Sequence, residues 1–279
     1  MLAESGLSRG SVELASRGIL FFADSWFSSS PAKPRLCEWS DAILEFMPET
    51  ANLIHEILPV GMLQCNCHIV GDSRTHEAIV IDPGDDAGQI LEVIERHRLK
   101  VRAIVITHTH IDHVAGLHRI HQATAAPVYM HPDDVELYRM LDMQAAWIGW
   151  KAPERVQVDQ LLREGDSLRW GPFAAQVIHT PGHTQGSICL YMPSEIPEAR
   201  AAVAAKSAER SPGRLFAGDT LFAGSIGRTD LWGGSFDAII GSLKGKLLEL
   251  PDDTIVYPGH GEATTIGRER SANPFLIGN

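Results

Sequence analysis

Hydrophobic residues in this chain follow two patterns, short apolar runs and longer segments with helical spacing. Apolar runs bounded by glycine, proline or other turn residues are typical of buried strands. They predict strands at residues 54–60, 65–70, 78–81, 101–106, 127–130, 174–178, 187–191, 214–217 and 254–257. Apolar positions three and four residues apart predict helices at residues 86–97, 132–141 and 235–250, and another through Leu117, Ile120 and His121. Ser235 is the expected N-cap of the helix at 235–250.

The first 47 residues lack either pattern. Residues 28–34 read SSSPAKP, a run of residues that interrupts regular structure. We therefore predict a poorly ordered N-terminal extension at residues 1–47 and one domain at residues 48–279. Met47 would then be the natural translation start, and residues 1–46 would be dispensable. The charged, alanine-rich segment between Pro193 and Pro212 is expected to form a surface excursion.

Composition restricts the partners and the compartment. A net charge of −11 argues against nucleic acid, because such binding depends on basic residues that neutralise phosphates. No apolar stretch approaches the roughly 20 residues that span a bilayer, so no membrane partner is expected. Acidic Glu4 and Glu13 argue against an export or transit signal, and a cytoplasmic location follows as an expectation. The oligomeric state stays open.

Cysteine spacing gives no disulfide framework. Cys65 and Cys67 lie two residues apart in a predicted strand, where their side chains would share one face and be poorly placed to bond with each other. We expect Cys37, Cys65, Cys67 and Cys189 to be reduced thiols.

Three histidines and one aspartate fall within six residues, directly after the apolar run at 101–106. The segment reads HTHIDH, from His108 to His113. Imidazole and carboxylate are ligands that zinc and iron accept, and a metal ion explains why so many stand together. The segment therefore predicts a metal site where a strand leaves the core.

Three further segments share this layout of an apolar strand, a glycine turn and a metal-competent side chain. They end in His183, Asp219 and His260. Glycine lets the backbone turn sharply at such places. Since ligand sites of open α/β sheets lie at strand ends, the four segments are expected to converge on one edge.

The motifs THTHIDH at 107–113, PGHT at 181–184, GDT at 218–220 and PGHG at 258–261 resemble those of the metallo-β-lactamase superfamily, in its small bacterial glyoxalase II-like branch. The resemblance covers roughly residues 54–265. It implies an α/β fold, a four-layer αββα sandwich. It also implies one metal held by His108, His110 and His183, a second held by Asp112, His113 and His260, Asp219 as the bridge between them, and Asp82 as a residue that orients a ligand.

The resemblance implies a hydrolase of small thioesters, for example S-lactoylglutathione. A hydroxide shared by two divalent metal ions would attack the carbonyl, and Asp112 would handle the proton. Zinc is the simplest assignment, with iron or manganese also compatible. The alternative is an oxidoreductase similar to the persulfide dioxygenases, which use a single iron held by two His and one Asp on the same scaffold.

The sequence leaves the substrate specificity open. Asp219 argues against antibiotic hydrolysis, because β-lactamases with a comparable histidine run lack the bridging aspartate. Thr229 and Asp230 replace aromatic residues that grip glutathione in full glyoxalase II. Arg228 either binds a substrate carboxylate or pairs with Asp230. Residues 143–150 are a candidate for a mobile flap near the site. Trp147, Trp150 and Tyr191 either shape a pocket or pack as ordinary aromatic residues. His179 would orient a ligand.

Overall fold

The computed structural model describes residues 52–193 and 211–277. The predicted N-terminal extension, the proposed start at Met47, Cys37 and most of the predicted surface excursion lie outside these residues. Across the described residues, every helix is too short or too polar to cross a membrane.

The first sheet has six strands in the order β1-β2-β3-β4-β5-β6. They are β1 Leu53–Val60, β2 Cys65–Asp72, β3 Glu77–Ile81, β4 Lys100–Val105, β5 Val128–Met130 and β6 Gln160–Leu161. The first three pair antiparallel, and β3 to β6 pair parallel. Parallel neighbours need crossover connections. The connections contain α1 Ala87–Arg96, α2 Ile111–Val114, α3 Leu117–Thr124, α4 Val135–Arg139 and α5 Leu141–Ile148.

The second sheet also has six strands, of which β10 and β13 are parallel neighbours. It consists of β7 Ser167–Trp170, β8 Phe173–His179, β9 Ile188–Met192, β10 Arg214–Gly218, β13 Ile255–Pro258 and β14 Thr264–Thr265. A hairpin of β11 Leu221–Phe222 and β12 Ser225–Ile226 follows β10. The helices α6 Phe236–Gly245 and α7 Ile266–Ala272 belong to this half.

Side chains alternate between the two faces of each sheet, and this alternation divides the core into three layers. In β3, Ala78 and Val80 pack with α1 and α3, whereas Ile79 and Ile81 pack toward the second sheet. In β9, Ile188, Leu190 and Met192 pack toward the first sheet, whereas Cys189 and Tyr191 pack with α6. Helix, sheet, sheet and helix therefore lie in succession, and the predicted four-layer αββα sandwich is confirmed.

Several predicted helices have different bounds. The helix predicted at 235–250 begins as expected, because the Ser235 side chain accepts a hydrogen bond from the Ala238 amide, but α6 ends at Gly245 and a 3-10 turn follows at Leu247–Glu249. Lys246, with φ −135°, leaves helical conformation between them. The helix predicted at 132–141 likewise divides into a 3-10 turn at Pro132–Asp134 and α4. Most of the expected flap at 143–150 belongs to helix α5.

The two sheets are joined by hydrogen bonds at one end, where β4, β8, β10 and β13 finish. The Ile188 amide of β9 donates to the Thr107 carbonyl at 2.9 Å, and the Asn66 amide of β2 donates to the Gly259 carbonyl at 2.7 Å. The Asn66 side chain adds bonds to the Pro258 and Gly261 carbonyls, each 3.0 Å. This cross-linked edge is the scaffold on which the candidate site is built.

Candidate metal centre

The structure brings all seven predicted ligands to this edge, each just after a strand. His108 and His110 follow β4, with His110 in extended backbone, and the one-turn helix α2 carries Asp112 and His113. His183 follows β8, Asp219 follows β10 and His260 follows β13. Their role as ligands stays a prediction, which requires that cations fit between these side chains.

The first group is a triangle of imidazole nitrogens from His108, His110 and His183, all three buried. The His183 Nε2 atom lies 2.9 Å from His110 Nδ1 and 3.1 Å from His108 Nε2. Ligand nitrogens about 2.0–2.1 Å from a tetrahedral zinc ion lie roughly 3.3–3.4 Å apart. The triangle is therefore close to the size that one cation requires.

The second group combines Asp112, His113 and His260. The His260 Nε2 atom lies 3.1 Å from Asp112 Oδ2, and His113 Nε2 lies 3.8 Å from the same oxygen. Asp219 stands between the two groups. Its Oδ1 atom lies 3.5 Å from His113 Nε2, and its Oδ2 atom lies 3.6 Å from His183 Nε2 and 3.7 Å from His260 Nε2.

Three buried atoms of these residues lack a hydrogen-bond partner: His110 Nε2, His113 Nε2 and Asp219 Oδ1. Leaving a buried polar atom unpaired costs about 1–3 kcal/mol. A nitrogen lone pair and a carboxylate oxygen facing one space are suitable donors to a divalent cation. The residues thus fit metal ions, and the structure contains His/Asp clusters able to bind them.

The other nitrogen of three histidines is held by a hydrogen bond, which fixes the tautomer. His113 Nδ1 lies 3.0 Å from Asp82 Oδ2, His183 Nδ1 lies 2.8 Å from the Arg228 carbonyl, and His260 Nδ1 lies 3.0 Å from the Leu63 carbonyl. Because each of these oxygens accepts, Nδ1 carries the proton. In the neutral ring, Nε2 is then left with its lone pair directed at the cluster.

Asp82 occupies the position predicted for a residue that orients a ligand. Its buried carboxylate also accepts from the Thr107 amide at 2.7 Å and the Thr107 hydroxyl at 2.6 Å. Thr107 adjoins His108, so one carboxylate orders the start of the ligand segment and the ring of His113.

Burial and mutual repulsion disfavour protonation of His108 and His110. Burial, followed by the charge of the neighbouring His183, lowers the pKa of His110 to about 3. Burial, then the charges of His113 and His183, likewise lower the pKa of His108. In the second group burial opposes the charged forms, but the carboxylates raise the pKa of His113, and His113 and His260 lower that of Asp112. His108 and His110 are therefore neutral at pH 7, whereas His113 favours its protonated form in the metal-free protein and must release the proton on Nε2 when a cation binds.

Glycine is required where the backbone passes closest to the cluster. A Cβ atom at Gly259 would lie 2.2 Å from Asp219 Oδ1 and 2.7 Å from His113 Cε1. A Cβ atom at Gly227 would lie 1.8 Å from the Asp219 carbonyl oxygen. These two glycines let three chain segments meet around Asp219.

Asp134 is a positioning residue that the sequence analysis did not identify. Its buried carboxylate accepts from the Thr109 amide at 2.8 Å, the Thr184 hydroxyl at 3.0 Å and the Gly186 amide at 2.7 Å. It thereby ties the loop of His108 and His110 to the loop of His183. Its partners lie 25 to 52 residues away in sequence, so no local pattern indicates them.

Arg228 and His179 lie outside the cluster of seven. The guanidinium of Arg228 makes two hydrogen bonds of 2.8 Å to Asp230, which favours the ion-pair interpretation. His179 stacks on His131 with ring centroids 3.9 Å apart and bonds to the Gln185 carbonyl at 2.8 Å, so it contacts no ligand side chain in the hydrogen bonds that the structure gives it. Tyr191 is buried in the core, where it packs with α6. Cys65, Cys67 and Cys189 are free and buried, as predicted.

The family model of the metallo-beta-lactamase superfamily matches residues 60–195 and 208–260. The chain belongs to this superfamily, and the family prediction is confirmed. It is 35% identical over 223 residues to "Hydroxyacylglutathione hydrolase GloC" of Haemophilus influenzae, covering 79% of this chain and 97% of that protein.

Solved structures with the same fold differ in their described activities and metals. BLEG-1, a B3 metallo-beta-lactamase, is 35% identical with a TM-score of 0.69, over 81% of this chain and all of that one. TTHA1623 in a di-iron-bound form is 37% identical with a TM-score of 0.66, over 79% and 100%. ETHE1 from Myxococcus xanthus is 26% identical with a TM-score of 0.63, over 81% and 85%.

Proposed function

We propose that the protein is a metal-dependent hydrolase of small thioesters that uses two divalent cations. The observation that carries the proposal is Asp219, whose two oxygens face His113 on one side and His183 on the other. A carboxylate shared by two ligand groups is typical of two-metal hydrolytic sites. Similarity to a hydroxyacylglutathione hydrolase supports the thioester assignment.

His108, His110 and His183 would hold one cation, Asp112, His113 and His260 the other, and Asp219 both. Two bound cations would supply a water-derived nucleophile near neutral pH and a Lewis acid for the carbonyl oxygen. The imidazoles of His108, His110 and His183 are buried and would exclude bulk water from the first cation. Zinc suits this donor set, and the di-iron relative supports iron as the alternative.

The reaction adds the oxygen of one water molecule to the acyl carbon and breaks the carbon–sulfur bond, giving a carboxylic acid and a thiol. A thiolate leaves without strong acid assistance, so no buried general acid is needed. The carboxylate of Asp112, held 3.1 Å from His260 and ionised because its pKa is lowered, would accept a hydrogen bond from the attacking water and relay its proton. Its side chain is 14% exposed, which leaves a path for that proton to solvent.

The decisive assay is steady-state hydrolysis of S-lactoylglutathione and of simple acyl thioesters by metal-loaded protein. We expect turnover that a chelator abolishes and added zinc restores, and that His110→Ala reduces by several orders of magnitude. Gln185→Ala is a matched control in the neighbouring loop, since Gln185 contributes its backbone carbonyl to His179. No turnover of any thioester by fully metal-loaded protein would reject the proposal.

The second candidate is an oxidoreductase that oxidises a persulfide with one iron. The similarity to ETHE1 is the observation that favours it. His183 Nε2 lies 3.1 Å from His108 Nε2 and 3.6 Å from Asp219 Oδ2, so these three side chains would be the ligands. The carboxylate of Asp112 and the imidazole of His260, whose Oδ2 and Nε2 atoms lie 3.1 Å apart, would be ligands of a second cation, and this argues against a site with a single iron. Oxygen uptake with a glutathione persulfide, at one iron per chain, would establish the oxidoreductase and exclude the hydrolase.

A further inference from the structure

Two indole rings lie in contact on the surface although their residues are far apart in sequence. Trp147 of α5 is 61% exposed and Trp232, in the loop after β12, is 38% exposed. Their ring centroids lie 5.6 Å apart in an edge-to-face arrangement. Large apolar side chains that remain exposed together often mark a binding surface.

Trp147 is tied to the segment that carries His110. One turn earlier on α5, the buried side chain of Gln144 accepts from the Ile111 amide at 3.0 Å and donates to the Thr109 carbonyl at 3.1 Å. These two residues flank His110 on both sides. The position of α5 is therefore fixed relative to that imidazole.

Trp232 is tied in the same way to the segment that carries His183. Before it, the Arg228 carbonyl accepts from His183 Nδ1 at 2.8 Å; after it, the Ser235 amide donates to the Gly182 carbonyl at 2.8 Å. The loop is thus anchored at both ends beside His183.

Helix α5 and the loop of Trp232 are thus held against the two segments that carry His110 and His183. His110 Nδ1 and His183 Nε2 approach within 2.9 Å, and the indoles attached to their two segments also touch. The guanidinium of Arg228, in the same loop as Trp232, is paired with Asp230. The surface formed by Trp147 and Trp232 therefore offers aromatic rings to a ligand rather than an unpaired guanidinium. Indoles bind apolar and aromatic groups through large contact area and edge-to-face packing.

We propose that Trp147 and Trp232 form an apolar subsite beside the cluster, which binds an aromatic or branched aliphatic group of the substrate. The inference rests on the proposed function and narrows its substrate class to thioesters with such a group. The group belongs either to the acyl part or to the thiol part, and the two arms of the turnover experiment below distinguish them.

Binding is tested first, without hydrolysis. Dissociation constants of the S-benzyl and S-methyl thioethers of N-acetylcysteamine are measured by calorimetry on metal-loaded protein. We expect the benzyl compound to bind about tenfold tighter or better, and Trp147→Ala or Trp232→Ala to reduce this ratio to about threefold or less. Trp147→Phe should retain most of the preference. Phe275→Ala is the control, because Phe275 is 38% exposed, as Trp232 is, and this substitution should leave the ratio unchanged.

Turnover then assigns the group. One series compares acetyl and phenylacetyl esters of the same thiol, and the other compares acetyl thioesters of methanethiol and benzyl mercaptan. We expect kcat/KM to favour the aromatic compound by about tenfold in one series, and both tryptophan variants to lose that preference. The series that responds identifies the side of the thioester that the indoles contact.

The failures of the two proposals are distinguishable. If no thioester is hydrolysed but the benzyl preference and its loss in the variants are found, the subsite stands and the proposed function fails. If thioesters are hydrolysed while neither experiment shows a preference that depends on the tryptophans, the subsite is rejected. It is also rejected if sedimentation shows a dimer that Trp147→Ala dissociates while the benzyl ratio is unchanged, because the pair would then be an interface between copies.

Discussion

Replacing Asp82 with asparagine should weaken one metal position while leaving the fold intact. The carboxylate is buried and accepts from the Thr107 amide, the Thr107 hydroxyl and His113 Nδ1. In the isosteric amide, the oxygen can still accept from the Thr107 amide. The amide nitrogen then faces His113 Nδ1 and can only donate to it. His113 would be forced into the tautomer with its proton on Nε2, the atom that faces Asp219.

The magnitude follows from the bond that is lost. A hydrogen bond to a charged group contributes about 1.5–3 kcal/mol, which corresponds to roughly 10- to 150-fold in an equilibrium constant. Loss of such an orienting partner typically lowers metal affinity about 10- to 100-fold. We therefore expect the second equivalent of zinc to bind Asp82→Asn about 10- to 100-fold more weakly, with the first equivalent changed much less.

Competition titration with a chromophoric chelator measures both affinities. Asp72→Asn is the matched control. Asp72 is as buried as Asp82 but is the last residue of β2, at the end of that strand farther from the metal cluster, and its carboxylate accepts from the Thr75 amide. The control should bind both equivalents as the wild type does. If Asp82→Asn also binds both equivalents with wild-type affinity, the tautomer argument is wrong.

Three further substitutions test other parts of the structure. Gly259→Ala should lower the metal content of the purified protein, because its Cβ would lie 2.2 Å from Asp219 Oδ1; elemental analysis showing wild-type metal content would contradict this. Gly241→Ala on α6 meets nothing within 4 Å and should raise the free energy of unfolding by about 0.5–1 kcal/mol in urea titrations, and a decrease would contradict the described packing. Burial and the neighbouring His179 lower the pKa of His131 from 6.5 to about 4, so the unfolded chain takes up its proton first and stability falls as pH drops from about 6.5 toward 4. Between pH 7 and 5 the free energy of unfolding of the His131→Asn variant should therefore fall by up to about 2 kcal/mol less than that of the wild type. Equal decreases in the two proteins would refute the lowered pKa of His131.

The strands that deliver ligands were predictable because their apolar pattern is strong and their polar ends are abrupt. The predicted strand at 101–106 differs from β4 by one residue at each end. Elements of two residues, β6, β11, β12 and β14, were not predicted, because such strands are defined by pairing partners rather than by a local period. Helix α7 was not predicted either, since polar residues fill most of its length.

The seven metal-competent side chains were found because residue type and spacing reveal them. The groups that hold these side chains in place have no such local signature. The carboxylate of Asp134 and the amide of Gln144 act through partners distant in sequence, and the Arg228 carbonyl that holds His183 is a backbone atom common to every residue. Trp147 was considered as part of a flap or, with Trp150, as shaping a pocket; its contact with Trp232 depends on tertiary packing.

The central claim is that two cations share Asp219. Anomalous diffraction from crystals of the metal-loaded protein, measured on both sides of the absorption edge of the bound element, tests it most directly. We expect two anomalous peaks per chain, one among His108, His110 and His183 and one among Asp112, His113 and His260, with Asp219 between them. A single peak, or a second peak away from Asp219, would contradict the account.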